Sequence, residues 1–194
     1  LLNRVIQGQY PPASTIKPML GLAGLNRDLI TLDTAIPDPG YYQLPGDPRR
    51  YRDWILRVRG TGHAEEMNLR DSIAQSCDVY FYELANRFGI DALAESLDDF
   101  GIGSVTGVDL PSEKRGILPS PEWKRRLIGS SWYGGETMIV GIGQGYMLAT
   151  PLKLAVATTV LATRGTAFKP TFVAAMDGIS VEPEPLLNVS VETS

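Results

Sequence analysis

The chain has 194 residues, 43% of them hydrophobic, enough for one packed domain or a large part of one. Its formal net charge of −4 argues against a nucleic-acid partner. No apolar run reaches the roughly 18 residues of a membrane-spanning helix, and Leu1-Leu2-Asn3-Arg4 does not open a signal peptide.

The pattern along the chain is mostly helical. A helix is expected from Ser14 to about Leu25, with an apolar face of Ile16, Met19, Leu20 and Ala23. Pro18 falls in its first turns, where proline does least damage. Residues 33–63 are rich in Pro, Gly, Asp, Tyr and Arg without a period, which reads as a long ordered loop. Such loops inside a domain usually carry function. Leu69 to about Gln75 is a helix, and Val79 to Phe88 is another, stopped by Gly89. Asp91 is expected to cap a third helix, running to Phe100 and ended by Gly101 and Gly103. Pro111 to Gly135 reads as irregular apart from a short helix near Pro121 to Arg126. Thr150 caps and Pro151 starts the strongest helix, to Arg164, with Gly165 after it. Its Leu154, Ala155, Thr158, Leu161 and Ala162 follow helical spacing and are expected in the core. From Thr171 the tail is β-like at Phe172-Val173 and from Leu187 to Val191. No internal repeat is present.

Ser14-Thr15-Ile16-Lys17 is the most informative stretch. At a helix start this spacing puts a hydroxyl and an amine on one face, one turn apart. A serine hydroxyl is a poor nucleophile until a base takes its proton. Lysine can be that base when burial or a nearby cation lowers its pKa. The opening turn adds unpaired N–H groups and the positive dipole end. On four residues alone, a capped surface helix with a solvated lysine is the better explanation of the pattern. Ser76-Cys77-Asp78 follows sixty-two residues after Ser14, ahead of Val79-Tyr80-Phe81-Tyr82.

These motifs resemble those of penicillin-binding proteins and class A β-lactamases, where Ser-x-x-Lys precedes a Ser-x-Asn type motif and a later Lys-Thr-Gly. Gln9-Tyr10-Pro11-Pro12-Ala13-Ser14-Thr15-Ile16-Lys17-Pro18 resembles the nucleophile segment of class B penicillin-binding proteins. Thr106-Gly107-Val108-Asp109-Leu110-Pro111-Ser112-Glu113 looks like one of their loops. Gly141-Ile142-Gly143-Gln144-Gly145 with Thr150-Pro151-Leu152 looks like their Gly-x-Gly-Gln helix entry. The likeness covers about residues 3–175 and is strongest to the elongation type, in which aspartate also stands where Asp78 does. No Lys-Thr-Gly or Lys-Ser-Gly occurs in the chain; Arg164-Gly165-Thr166 falls too early, at a helix end.

The resemblance implies an α/β (α+β) transpeptidase fold of the serine β-lactamase type, mostly its helical part. Residues 1–194 would be a partial transpeptidase domain, with a membrane anchor and pedestal domain before Leu1 and the third motif after Ser194. It implies catalysis by Ser14, Lys17, Ser76 and Asp78. Ser14 attacks, Lys17 takes its proton, Ser76 relays a proton to the leaving amine, and Asp78 holds Lys17. It implies peptidoglycan stem peptides as substrates, β-lactams as inhibitors, and a glycosyltransferase and scaffold proteins of an elongation complex as partners. The place would be the periplasmic face of a bacterial inner membrane. Two other classes stay open: a β-lactam sensor or β-lactamase-like domain, and a non-catalytic metal-stabilised scaffold. A hydrolase would need a deacylation base, and no Glu in such a context stands out.

The single Cys and single His form the second feature. A lone cysteine makes no intrachain disulfide, and a free exposed thiol is a liability in an oxidising compartment. Side chains alternate in extended or turning backbone. With Ser76 and Asp78 facing a cleft, Cys77 therefore points behind it. The long loop offers Asp38, Asp53 and His63 as partners. Two carboxylates, one imidazole and one thiolate complete a tetrahedral zinc shell. The spacing matches no standard finger, so a buried Cys77, an exposed His63, and aspartates serving turns and Arg pairs is the alternative. The resemblance implies a structural zinc held by Asp38, Asp53, His63 and Cys77, in this order. The segment from Asp53 to His63 is longer here than in those relatives.

Three further features take plain readings. Gly141-x-Gly143-x-Gly145 is no dinucleotide fingerprint, lacking a βαβ unit, and is expected to pack backbone closely beside the cleft. Tyr80, Phe81 and Tyr82 are expected in the core, and Lys124-Arg125-Arg126 on a solvated face.

Overall fold

A computed structural model describes residues 2–189 and is helical at its centre. The central helix, α5 (Asp78–Asp99), follows α1 (Arg4–Gln7), α2 (Lys17–Asn26), α3 (Leu56–Arg59) and α4 (Leu69–Ala74). After it come α6 (Pro121–Ile128), α7 (Gly134–Gly141) and α8 (Pro151–Ala162). A 3-10 turn over Ala13–Ile16 leads into α2. The strands are short: β1 (Ile36–Pro37), β2 (Tyr41–Gln43), β3 (Arg50–Arg52), β4 (Glu66–Met67), β5 (Thr166–Phe168), β6 (Ala175–Met176), β7 (Ile179–Ser180) and β8 (Pro185–Asn188). They make four antiparallel pairs, β1–β4, β2–β3, β5–β8 and β6–β7. The mixed α/β architecture is the expected one.

The core forms around α5, which packs against α2, α7 and the β2–β3 hairpin. Tyr80, Phe81, Leu84, Leu93 and Leu97 of α5 are fully buried. They meet Ile16, Met19 and Leu20, the expected face of the first helix. Burying one such side chain is worth roughly 1.5–3 kcal/mol, so this seam fixes where Lys17 stands relative to Asp78. Gly89 breaks the central helix at φ 66°, ψ 165°, a conformation L side chains rarely adopt. Asp91, two residues on, then sits in the first turn of the second segment and does not cap it. The long loop is ordered, and holds the β2–β3 hairpin and the single turn α3.

Four further expectations need correction. Helix α7 begins at Gly134, where two glycines read as irregular chain. It starts because the Glu136 carboxylate accepts the Tyr133 N–H at 2.8 Å and binds Lys124 Nζ at 2.6 and 2.8 Å. Lys124 is consequently 2% exposed, whereas its neighbours Arg125 and Arg126 are solvated. On α8 the buried face is Lys153, Val156, Ala157 and Val160. Leu154, Ala155, Thr158, Leu161 and Ala162 are half-buried or exposed. The helix is apolar nearly all round, so spacing alone could not choose its inner face. Phe172-Val173 is not a strand; its two N–H groups bind the Asp109 carboxylate at 2.9–3.1 Å. The expected strand at 187–191 is seen as β8, and Ser190 and Val191 lie outside the described residues.

Candidate active site and metal-ligand cluster

Ser14 lies in the 3-10 turn and Lys17 opens α2. Pro18 sets the first turn of that helix, where its missing N–H costs nothing. Ala13 has φ 49°, and its N–H binds Gly143 O at 2.8 Å. Gly143 itself has φ 70°, and a Cβ there would collide with Ala13 O. The glycine run therefore packs backbone against the nucleophile turn, as expected. Gly143→Ala meets both the collision and a left-handed penalty of about 1–2 kcal/mol. It is expected to lower the melting temperature and displace Ser14; unchanged melting would show that this contact yields freely.

Ser76 lies in the short link between α4 and α5, with φ 55°. A serine in that region is strained, which functional sites tolerate when neighbours fix the backbone. Its neighbours do so here. Cys77 N–H binds Ser72 O at 2.9 Å. The Asp53 carboxylate accepts Asp78 N–H at 2.6 Å and Val79 N–H at 3.3 Å, capping α5. Ser76 O accepts from Lys17 Nζ at 2.9 Å and from Trp54 Nε1 at 3.1 Å.

The four expected catalytic residues meet. Ser14 Oγ and Ser76 Oγ are 2.8 Å apart, Lys17 Nζ is 3.2 Å from Ser76 Oγ, and Lys17 Nζ is 2.6 Å from Asp78 Oδ1. Lys17 is 1% exposed, which rules out the solvated lysine of the bland alternative. Its Nζ also stands 5.4 Å over the Phe81 ring. Burial raises the Asp78 carboxyl above the usual carboxylate range, opposed by the attraction of Lys17. The arrangement links a nucleophile, a second hydroxyl, an amine and a carboxylate in one continuous hydrogen-bonded line. That line can carry a proton away from Ser14.

A profile described as "Penicillin binding protein transpeptidase domain" matches residues 1–194. The chain belongs to the penicillin-binding protein transpeptidase family. Among curated relatives, it is 49% identical over 178 residues to the peptidoglycan D,D-transpeptidase MrdA of Acinetobacter baumannii, covering 92% of this chain and 26% of that protein. It is 44% identical over 165 residues to MrdA of Escherichia coli K12, covering 85% and 25%. The chain thus spans about a quarter of the length of these relatives. Of solved structures, PBP2 of Pseudomonas aeruginosa in complex with WCK 5153 superposes with a TM-score of 0.90. It is 42% identical, with 99% of this chain and 43% of that one covered. The PBP2–MreC complex of Helicobacter pylori gives 0.84 at 37% identity, with 96% and 33% covered. The relatives named MrdA and PBP2 are thus penicillin-binding proteins of the kind that the sequence motifs resemble.

Behind the catalytic line lies a second cluster. Asp38, Asp53, His63 and Cys77 bring one ligand atom each to within 4.8 Å of one another. Cys77 does point away from Ser76 and Asp78, with Sγ 3.7 Å from Asp38 Oδ2. The His63 side chain is 1% exposed and those of both aspartates 0%, so the exposed-histidine alternative fails. Both aspartates serve turns as well: Asp38 Oδ1 accepts Gly40 N–H at 2.9 Å and Asp53 Oδ1 accepts Ile55 N–H at 3.0 Å. His63 Nδ1 is 3.0 Å from Asp38 Oδ2 and 3.7 Å from Asp53 Oδ2. Its Nε2 is buried without a partner among the described residues. Burial, with the nearby aspartates adding to it, pushes the Cys77 thiol up. Trp54, which the sequence did not single out, reaches the Ser76 carbonyl with its indole N–H; nothing in its spacing marks that contact.

Proposed function

We propose that this chain is the nucleophile-bearing part of a peptidoglycan D,D-transpeptidase that crosslinks stem peptides through an acyl-enzyme on Ser14. The observation that carries the reading is the line Ser14 Oγ, Ser76 Oγ, Lys17 Nζ, Asp78 Oδ1. Ser14 Oγ attacks the carbonyl of the penultimate D-Ala, and its proton passes to Lys17, with Ser76 Oγ touching both. The C–N bond then breaks, and the terminal D-Ala leaves with a proton delivered through Ser76. An amine of a neighbouring stem peptide attacks the ester and returns a proton to Ser14. A β-lactam acylates Ser14 by the same first step, but its leaving nitrogen stays tethered. The Ser14 backbone N–H supplies one oxyanion donor; the second belongs to the Lys-Thr-Gly segment, which this chain lacks. The isolated chain is accordingly expected to be inactive.

A fluorescent penicillin tests the reading on the full-length protein. A stable adduct on the peptide containing Ser14, located by mass spectrometry, supports it. Rapid release of hydrolysed drug favours a β-lactamase-like domain, and no reaction favours a non-catalytic scaffold. The same proposal places the protein on the periplasmic face of the inner membrane. It gives the protein scaffold and glycosyltransferase partners of an elongation complex, by analogy with the relative solved together with MreC.

The proposal includes one structural zinc on Asp38, Asp53, His63 and Cys77. Two buried carboxylates with no lysine or arginine partner among the described residues are costly without a cation. Sulfur, imidazole and carboxylate are the donors zinc takes, and four protein ligands leave no open position for catalytic water.

A further inference from the structure

Trp54 is 47% exposed, so core packing does not explain a residue of that size there. Its ring lies edge-on to His63, at 5.6 Å and 70°. Its indole N–H donates to Ser76 O at 3.1 Å. The same carbonyl holds Lys17 Nζ at 2.9 Å. Both lone pairs of that oxygen are used.

The geometry points to Trp54 as a positioning residue that aims the Lys17 base through the Ser76 carbonyl. This rests on the acyl-transfer reading above. As an ammonium, Lys17 has three N–H bonds and three acceptors: Ser76 O, Ser76 Oγ and Asp78 Oδ1. A base must first give one proton up. The neutral amine then keeps two N–H bonds and one lone pair. With Ser76 O and Asp78 Oδ1 holding the two N–H bonds, the lone pair is directed at Ser76 Oγ. Ser76 Oγ is the atom 2.8 Å from Ser14 Oγ. The aim therefore depends on where the Ser76 carbonyl stands.

That carbonyl belongs to a peptide unit next to a left-handed serine at φ 55°. Such a unit holds its plane only when its surroundings fix it. Cys77 N–H, on the other side of the unit, is tied to Ser72 O at 2.9 Å. Trp54 Nε1 is the fixed donor on the carbonyl side, since Lys17 is the group being aimed. Asp53, next in the chain to Trp54, caps α5 directly after Ser76. One short segment of the long loop thus sets both the helix start and the carbonyl before it.

The test is Trp54→Phe in the full-length protein, which keeps an aromatic wall and removes the N–H. Stopped-flow acylation with a penicillin separates the saturation constant from the limiting rate. The expected result is a limiting rate about tenfold lower, the kinetic equivalent of one neutral hydrogen bond, with the saturation constant and melting temperature unchanged. Should the phenylalanine variant fold poorly, the benzothienyl-alanine isostere, which replaces only the N–H by sulfur, is expected to give the same tenfold loss. An unchanged limiting rate in either folded variant overturns the inference. So does a changed saturation constant with an unchanged rate, which would make Trp54 a wall of the substrate cleft. Absence of any Ser14 adduct in the unsubstituted protein would instead defeat the acyl-transfer reading, and this inference with it.

Discussion

Ser14→Ala in the full-length protein is expected to leave no covalent penicillin adduct, a fall in acylation of at least on the order of 10⁴-fold. The fold should survive, because Ser14 is only half-buried and its side-chain contact is the Ser76 hydroxyl. Removing one hydroxyl from that pair leaves Ser76 still bonded to Lys17 at 3.2 Å. Gel fluorescence and intact-mass measurement check the outcome, with a melting curve as control. An adduct on any other residue of the variant would end the assignment of Ser14. Lys17→Ala is a less clean test of the base than Ser-x-x-Lys spacing alone suggests. Lys17 is buried against Asp78 at 2.6 Å. Removing one member of such a pair leaves an uncompensated carboxylate and costs on the order of 3 kcal/mol. Slow acylation in that variant must therefore be read against its stability.

That Ser14, Lys17, Ser76 and Asp78 meet was legible in the sequence because each sits in a short motif whose spacing is set by a helix start. Ser14 and Lys17 are one turn apart, and Ser76 and Asp78 straddle the cap of α5. Alternation at such a cap also foretold that Cys77 turns inward. The helix that spacing misjudged, α8, is apolar on nearly every face. Its inner side is chosen by Lys153, whose stem is buried and whose Nζ reaches Val105 O at 3.4 Å. Long side chains of this kind cover apolar surface and still satisfy their charge at the tip. Helix α7 was illegible for a different reason. Its start depends on Glu136 meeting Lys124 from another helix, a contact twelve residues away that no local window contains. Trp54 escaped notice likewise, because its meaning lies in a bond to a residue twenty-two positions later.

Metal removal is the second large effect expected. Protein purified without added metal should carry one zinc per chain by elemental analysis. Chelation, or Cys77→Ser, should lower the melting temperature by roughly 10 °C. The estimate takes loss of a metal site as costing more than about 4 kcal/mol, at about 2–4 °C per kcal/mol for a domain of this size. The cost arises because neither carboxylate has a lysine or arginine partner among the described residues, so losing the metal would leave two buried carboxylates facing a thiol and one histidine. The four proposed ligands would tie together three places: Asp38 beside β1, the Asp53–His63 stretch of the long loop, and Cys77 between Ser76 and Asp78. Asp53 holds the first N–H groups of α5 with the same carboxylate oxygen that faces His63. Loosening that oxygen moves Ser76 and Asp78 together, so acylation of Ser14 should slow as well. The loss would come through displacement, since four protein ligands would leave a bound zinc no open position for a reacting group. Added zinc should restore melting and acylation in parallel in the chelated protein, but not in Cys77→Ser. A zinc content near zero with no effect of chelator on melting would leave Cys77 an ordinary buried thiol. Asp38 and Asp53 would then be turn residues that share one histidine.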